Sequence, residues 1–150
     1  MRLLLFLVLF IASCKRSTKT NFDLDNSTLK ITDGSNEFSL NRCTVRKYDD
    51  SLFLNFSDTI KQANWYELQI IKANNRFYSS LQNAFSISDS SYKPPVFKIS
   101  YQSIQLDHSG YEIGDSIKGT ITLNILSYNR WPEVFTDTFK IVGGFRAVVQ

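Results

Sequence analysis

The chain has 150 residues, with 17 basic and 14 acidic side chains and a formal net charge of +3. A length near 150 residues suits one domain with a true apolar core, burying about 70% of its unfolded surface without staples. The charge is too balanced, and beyond Lys19 the basic residues too scattered, for a nucleic-acid partner.

In chain order, Arg2 supplies a positive start and Leu3 to Ala12 is an unbroken apolar run. Such a run fits the apolar region of a secretion signal. It is too short for a transmembrane helix, which needs about 20 apolar residues to cross roughly 30 Å of hydrocarbon. A buried N-terminal helix fits worse, because the run has no polar face and Lys15, Arg16 and Lys19 follow at once.

The run closes on Ile11-Ala12-Ser13-Cys14. Charge, apolar run, small residues, cysteine and polar tail come in the order that resembles the lipobox of bacterial lipoproteins. The resemblance implies that residues 1–13 are a signal peptide, cut between Ser13 and Cys14, and that the Cys14 thiol carries diacylglycerol. The competing reading is an ordinary signal peptide with a chance cysteine. Physical chemistry supports an anchor: each buried CH₂ contributes about 0.8 kcal/mol, and one acyl chain holds only reversibly, whereas two or three hold durably. Lys15, Arg16 and Lys19 add about 1 kcal/mol each beside anionic head groups. Lys15 stands where an aspartate would signal inner-membrane retention in enteric bacteria. The acidic patch of surface-exported Bacteroidota lipoproteins is missing. The resemblance therefore implies an outer-membrane anchor on the periplasmic face.

Residues 14–27 are polar and nearly free of core residues, which predicts a lipidated flexible tether of roughly 20 Å end to end. From Thr28 the hydrophobic period is close to two, so residues 28–150 form the folded domain. Ser39 to Val45 reads as strand and contains Cys43. With Cys14 acylated, Cys43 has no partner in the chain, and neither a disulfide framework nor a cysteine-based zinc site is expected. A buried inert thiol is the main reading of Cys43, and a reactive or intermolecular thiol is the other. Leu52, Leu54 and Phe56 share one strand face, as do Tyr66, Leu68 and Ile70 within Trp65–Lys72. One helical turn is allowed near Thr59–Asn64. Pro94-Pro95 opens a strand in which Phe97, Ile99 and Tyr101 alternate with Lys98 and Ser100.

The clearest alternation is Ile117, Gly119, Ile121, Leu123 and Ile125 against Lys118, Thr120, Thr122 and Asn124. Phe135, Phe139 and Ile141 follow on one face, with Asp137 breaking the apolar side. Turn residues separate these runs at Asp33–Asn36, Asp49-Asp50, Asn74-Asn75, Asp107–Gly110 and Ile113–Asp115. Short strands punctuated this often predict an all-β fold, an antiparallel β-sandwich, with a partly open β-barrel as the alternative. Gly143-Gly144 is expected to permit a bulge that lets the last strand change direction or sheet. The late segments Gly114–Thr120 and Ile141–Ala147 resemble the closing hairpin of small Bacteroidota lipoproteins, which again implies a β-sandwich.

Chemistry is sparse. His108, the one histidine, lies in the turn Asp107–Gly110. An exposed turn residue is the simpler reading, and a triad base would need a serine and carboxylate brought in by folding. The four glutamates, Glu37, Glu67, Glu112 and Glu133, form no legible pair for glycoside hydrolysis. No catalytic residue, metal site or cofactor is expected, since phosphate-binding glycine loops and calcium-loop patterns are missing. Tyr128 and Trp131 flank Asn129 and Arg130 in a segment between two strands, and are the ligand-binding candidates. Loop rings stack on sugars or anchor proteins, although a ring folded over the core is commoner. The expected function is a non-enzymatic accessory or binding domain in the cell envelope. It would be held to the membrane by its N-terminal lipid and partnered by an envelope protein or glycan. A glycan-binding module using the loop rings is the alternative, and an envelope hydrolase comes third. Mass spectrometry of the membrane-extracted protein should give the chain from Cys14 plus its acyl groups, and Cys14→Ser should move the protein to the aqueous phase of a detergent partition.

Overall fold

The computed structural model describes residues 27–34, 36–58, 64–85, 94–128 and 134–150. The signal segment with Ser13, Cys14, the tether before Ser27, most of the allowed helical turn, and Trp131 lie outside the described residues. Among the described residues there are nine strands: β1 (Thr28–Asp33), β2 (Asn36–Leu40), β3 (Arg42–Tyr48), β4 (Ser51–Ser57), β5 (Asn64–Ala73), β6 (Arg76–Phe85), β7 (Val96–Leu106), β8 (Ser116–Tyr128) and β9 (Phe135–Val148). A five-stranded sheet runs β2-β1-β9-β8-β7 and a four-stranded sheet runs β3-β4-β5-β6. All neighbours within each sheet are antiparallel, and the two sheets pack together without closing into a barrel. The fold is thus the all-β sandwich, and the barrel alternative falls away.

The period-two pattern explains the packing. Ile117, Ile121, Leu123 and Ile125 of β8 are fully or nearly fully buried, and so are Leu52, Leu54 and Phe56 of β4 and Leu68 and Ile70 of β5. Phe56 and Phe145 meet edge to face across the interior, with ring centres 5.2 Å apart at 80°. Tight turns set the registers. Asn74 and Asn75 take φ of 50° and 59°, the left-handed pair that a two-residue hairpin between β5 and β6 requires. Asp49 takes φ 49° between β3 and β4.

Four local expectations need correction. Ser39–Val45 is not one strand: the chain breaks at Asn41, and β2 and β3 belong to different sheets. Tyr101 does not share the inward face of Phe97 and Ile99. A register shift between Ile99 and Tyr101 leaves Ser100 unpaired and turns Tyr101 outward, 52% exposed. Phe135 likewise ends up exposed, beside a register shift at Ser127/Tyr128. The register of β9 runs unbroken through Gly143-Gly144 against both β1 and β8, so no bulge sits there. Glycine at 143 serves a close approach instead: a Cβ would lie 2.2 Å from the Thr28 carbonyl oxygen and 2.8 Å from Leu29 Cα.

The last residues do reach the second sheet. Val149 forms a parallel bridge with Val45, the Gln150 N–H donates to Val45 O at 2.9 Å, and the Lys47 N–H donates to Gln150 O at 3.0 Å. Along the opposite margin, β6 and β7 come together without a ladder. There the Gln102 Nε2 donates to Phe77 O at 2.8 Å, and its Oε1 accepts from Ser79 Oγ at 3.1 Å. Because backbone blocks the space beside Gly143, Gly143→Ala should lower stability by about 1–3 kcal/mol, measured by urea denaturation.

Candidate functional site

Tyr128 stands at the end of β8, half-buried. Its ring meets Phe135 edge to face at 6.0 Å, and Lys98 Nζ lies 4.7 Å from the ring centre. One face of the ring is therefore taken by an ammonium group. Its companion candidate Trp131, like Ser13 and Cys14, lies outside the described residues. Cys43 is free and packs against the core from β3, and burial pushes its thiol up to about 12. Almost no thiolate then exists at neutral pH, which favours the inert reading.

His108 is exposed in the β7–β8 connection, with its Nε2 3.8 Å from Asp107 Oδ2. Its structural use is through the backbone: the His108 N–H donates to the Tyr111 hydroxyl at 2.8 Å, and that hydroxyl donates to Asp107 Oδ1 at 2.7 Å. Burial would raise the Asp107 carboxyl, but the Tyr111 hydroxyl and the Lys118 N–H, 2.9 Å away, hold it below the usual range. Burial and then the bond to Asp107 push Tyr111 up to about 12. This knot fixes residues 107–115 over one end of the sandwich.

A cleft of about 300 Å³ lies beneath that connection, lined by Lys47, Lys72, Asn74, Asn75, Tyr111 and Glu112 among others. Lys47 and Lys72 continue the inward rows of β3 and β5 in register with Leu52. Two cations at the rim of an apolar interior need partners. Glu112 Oε2 accepts from Lys47 Nζ at 2.6 Å, and the Ser109 carbonyl accepts from Lys72 Nζ at 2.7 Å. The chain itself engages both ammonium groups, so the cleft reads as a clasp between sheets.

The outer face of the four-stranded sheet is different. The register places Arg46, Phe53, Ile71 and Tyr78 in one row across β3, β4, β5 and β6. Thr44, Asn55, Gln69 and Ser80 form the next row. Tyr48 stands edge to face with Phe53, ring centres 5.3 Å apart, and is 56% exposed. Tyr78 is 54% exposed. A depression of about 320 Å³ is lined by Thr44, Arg46, Tyr48, Phe53, Asn55 and Gln69. Among the described residues, no ion pair engages Arg46, and no hydrogen bond engages the amides of Asn55 and Gln69. Beyond Tyr78, a groove of about 350 Å³ along the β6–β7 margin is lined by Phe77, Tyr78, Ile99, Tyr101 and Gln102, among others.

Sequence reading missed this face. Phe53 between Leu52 and Leu54 was the available signal: in a strand with Leu52, Leu54 and Phe56 inward, a phenyl ring at 53 must point to solvent. Tyr48 and Tyr78 carried no such signal, because the strands around them lacked a firm inward set.

Asp33 and Asp137 form a carboxyl pair on the five-stranded sheet. Burial, then the hydrogen bond and charge of Asp137, push Asp33 up to about 6. The hydrogen bond from Asp33 and the Thr138 N–H hold Asp137 below its ordinary value. Neither lines any depression described above. Among the described residues, no group of three histidine, cysteine or acidic side chains is placed to hold a metal, and no helix is long and apolar enough to cross a membrane. Comparison with known protein families and with curated proteins finds no match for this chain.

The carboxyl pair sets a pH dependence. A carboxyl raised on folding favours the protonated native state, so the Asp33 contribution is full below 3.8 and is lost as pH rises through about 6. The lowered Asp137 works in the opposite sense, its contribution present at higher pH and lost on acidification. Asp33→Asn keeps a donor toward Asp137 and removes the ionisation. Thermal melts should show the variant gaining on the parent protein as pH rises from 3.8 to beyond about 6, with little difference at the acid end.

Proposed function

We propose that this chain is a non-enzymatic binding domain of the bacterial envelope, carried on a lipid at Cys14. The outer face of its four-stranded sheet is the working surface. One observation carries the reading: Tyr48, Phe53, Ile71 and Tyr78 stand together on the face turned away from the core, spread over all four strands. Scattered exposed rings need no explanation, but a contiguous band of them with polar neighbours marks an interaction surface. The lipobox resemblance at residues 11–14 supplies the location, an outer-membrane anchor on the periplasmic face.

A glycan reading built on Tyr128 and Trp131 has less support, because Lys98 and Phe135 already occupy the surroundings of Tyr128. The hydrolase reading needs an acid and a base facing one cleft, and the contacting carboxyl pair Asp33 and Asp137 sits apart from the depressions. A photo-crosslinking side chain placed at Tyr78 should capture an envelope component in intact cells. The same group at exposed Lys140, on the five-stranded sheet, should not. Equal capture at both positions would remove the case for this face.

A further inference from the structure

We infer that the depression lined by Thr44, Arg46, Tyr48, Phe53, Asn55 and Gln69 binds an acidic saccharide, a sugar unit carrying a carboxylate. The inference rests on the reading of this face as the binding surface, and adds the ligand class.

Size is the first argument. About 320 Å³ falls at the lower end of the range of small-ligand sites. The lining is the second. Tyr48 and Phe53 stand at 86° to each other, so they form a corner of two ring surfaces. The negative face of an aromatic ring attracts the weakly positive C–H bonds on the flat side of a pyranose. Asn55 and Gln69 lie directly opposite each other in register, and among the described residues no hydrogen bond engages their side-chain amides. Each amide offers two donors and an acceptor carbonyl, the set that vicinal hydroxyls need.

Charge is the third argument. The lining holds one guanidinium and no carboxylate, and Arg46 forms no ion pair among the described residues. Arg46 pairs with Phe53 across β3 and β4, so the cation stands beside the ring corner. A planar guanidinium takes a carboxylate by two parallel hydrogen bonds. A neutral sugar would leave that group unused. The end cleft offers no such site, since Glu112 and the Ser109 carbonyl engage its lysines.

The test is calorimetric titration of the intact lipidated protein in detergent micelles with tri-galacturonate, with maltotriose as the neutral counterpart and acetate as the bare carboxylate. Tri-galacturonate should bind, maltotriose more weakly by about tenfold, and acetate not measurably. Arg46→Gln should erase the preference for the acidic sugar. Tyr48→Ala should weaken both sugars, and Asn55→Ala should cost several-fold. All three positions are outside the core, so unchanged melting temperatures should show that the fold is intact. Equal binding of acidic and neutral sugars, or a preference that survives Arg46→Gln, would overturn the inference. So would the absence of saccharide binding. If crosslinking at Tyr78 still captures an envelope protein in that event, the face remains a binding surface and only the ligand class is wrong. If both fail, the reading of the face fails as well.

Discussion

The contact between Phe145 and Phe56 ties the two sheets to one spacing. Both rings are fully buried, and they come from strands of opposite sheets. Room for Phe145 exists only because residue 119 has no side chain: a Cβ there would sit 2.6 Å from the ring. The same economy recurs at Gly143, where β1 lies against β9 closely enough to exclude a methyl group. Close packing of this kind leaves little freedom in how β9 runs. Its course carries Val149 to Val45 and joins the middle strand of one sheet to an edge strand of the other.

Much of this was legible in the sequence, and the reasons are particular. Ile117 to Ile125 alternates without error because β8 lies between two neighbours and must bury one whole face. The turns were legible because Asp49, Asn74 and Asn75 occupy left-handed backbone that few residue types accept. What could not be read was anything depending on a single inserted residue. Ser100 turns Tyr101 outward, and Asn41 sends β3 into the other sheet, yet neither residue differs in type from its neighbours in strands. The candidate site escaped for a related reason. It is made of residues from four strands set side by side by register, and register is a tertiary property. The rings proposed from sequence were neighbours in one segment of chain, Tyr128 and Trp131, whereas the rings on the sheet face, Tyr48, Phe53 and Tyr78, come from three different strands.

The placement of the chain entry bears on how the proposed surface would work. Ser27 is pinned to β9: its Oγ donates to Arg146 O at 2.7 Å and accepts from the Arg146 N–H at 3.1 Å. The described chain therefore starts at the five-stranded sheet, while the ring-bearing face belongs to the other sheet, roughly 10 Å further across the interior. With the proposed lipid anchor, pull from a membrane would act on one layer and leave the other layer's outside free.

The glutamine at the β6–β7 margin has a consequence of its own. Two strand edges that face each other without pairing expose rows of amide and carbonyl groups, the template on which identical chains stack into fibrils. By offering its carboxamide to Phe77 O and Ser79 Oγ, Gln102 fills the middle of that template with a side chain. Anchored as proposed, copies of this chain would meet one another on a two-dimensional lipid surface far more often than in dilute solution. For such a molecule, one well-placed amide guards against polymerisation.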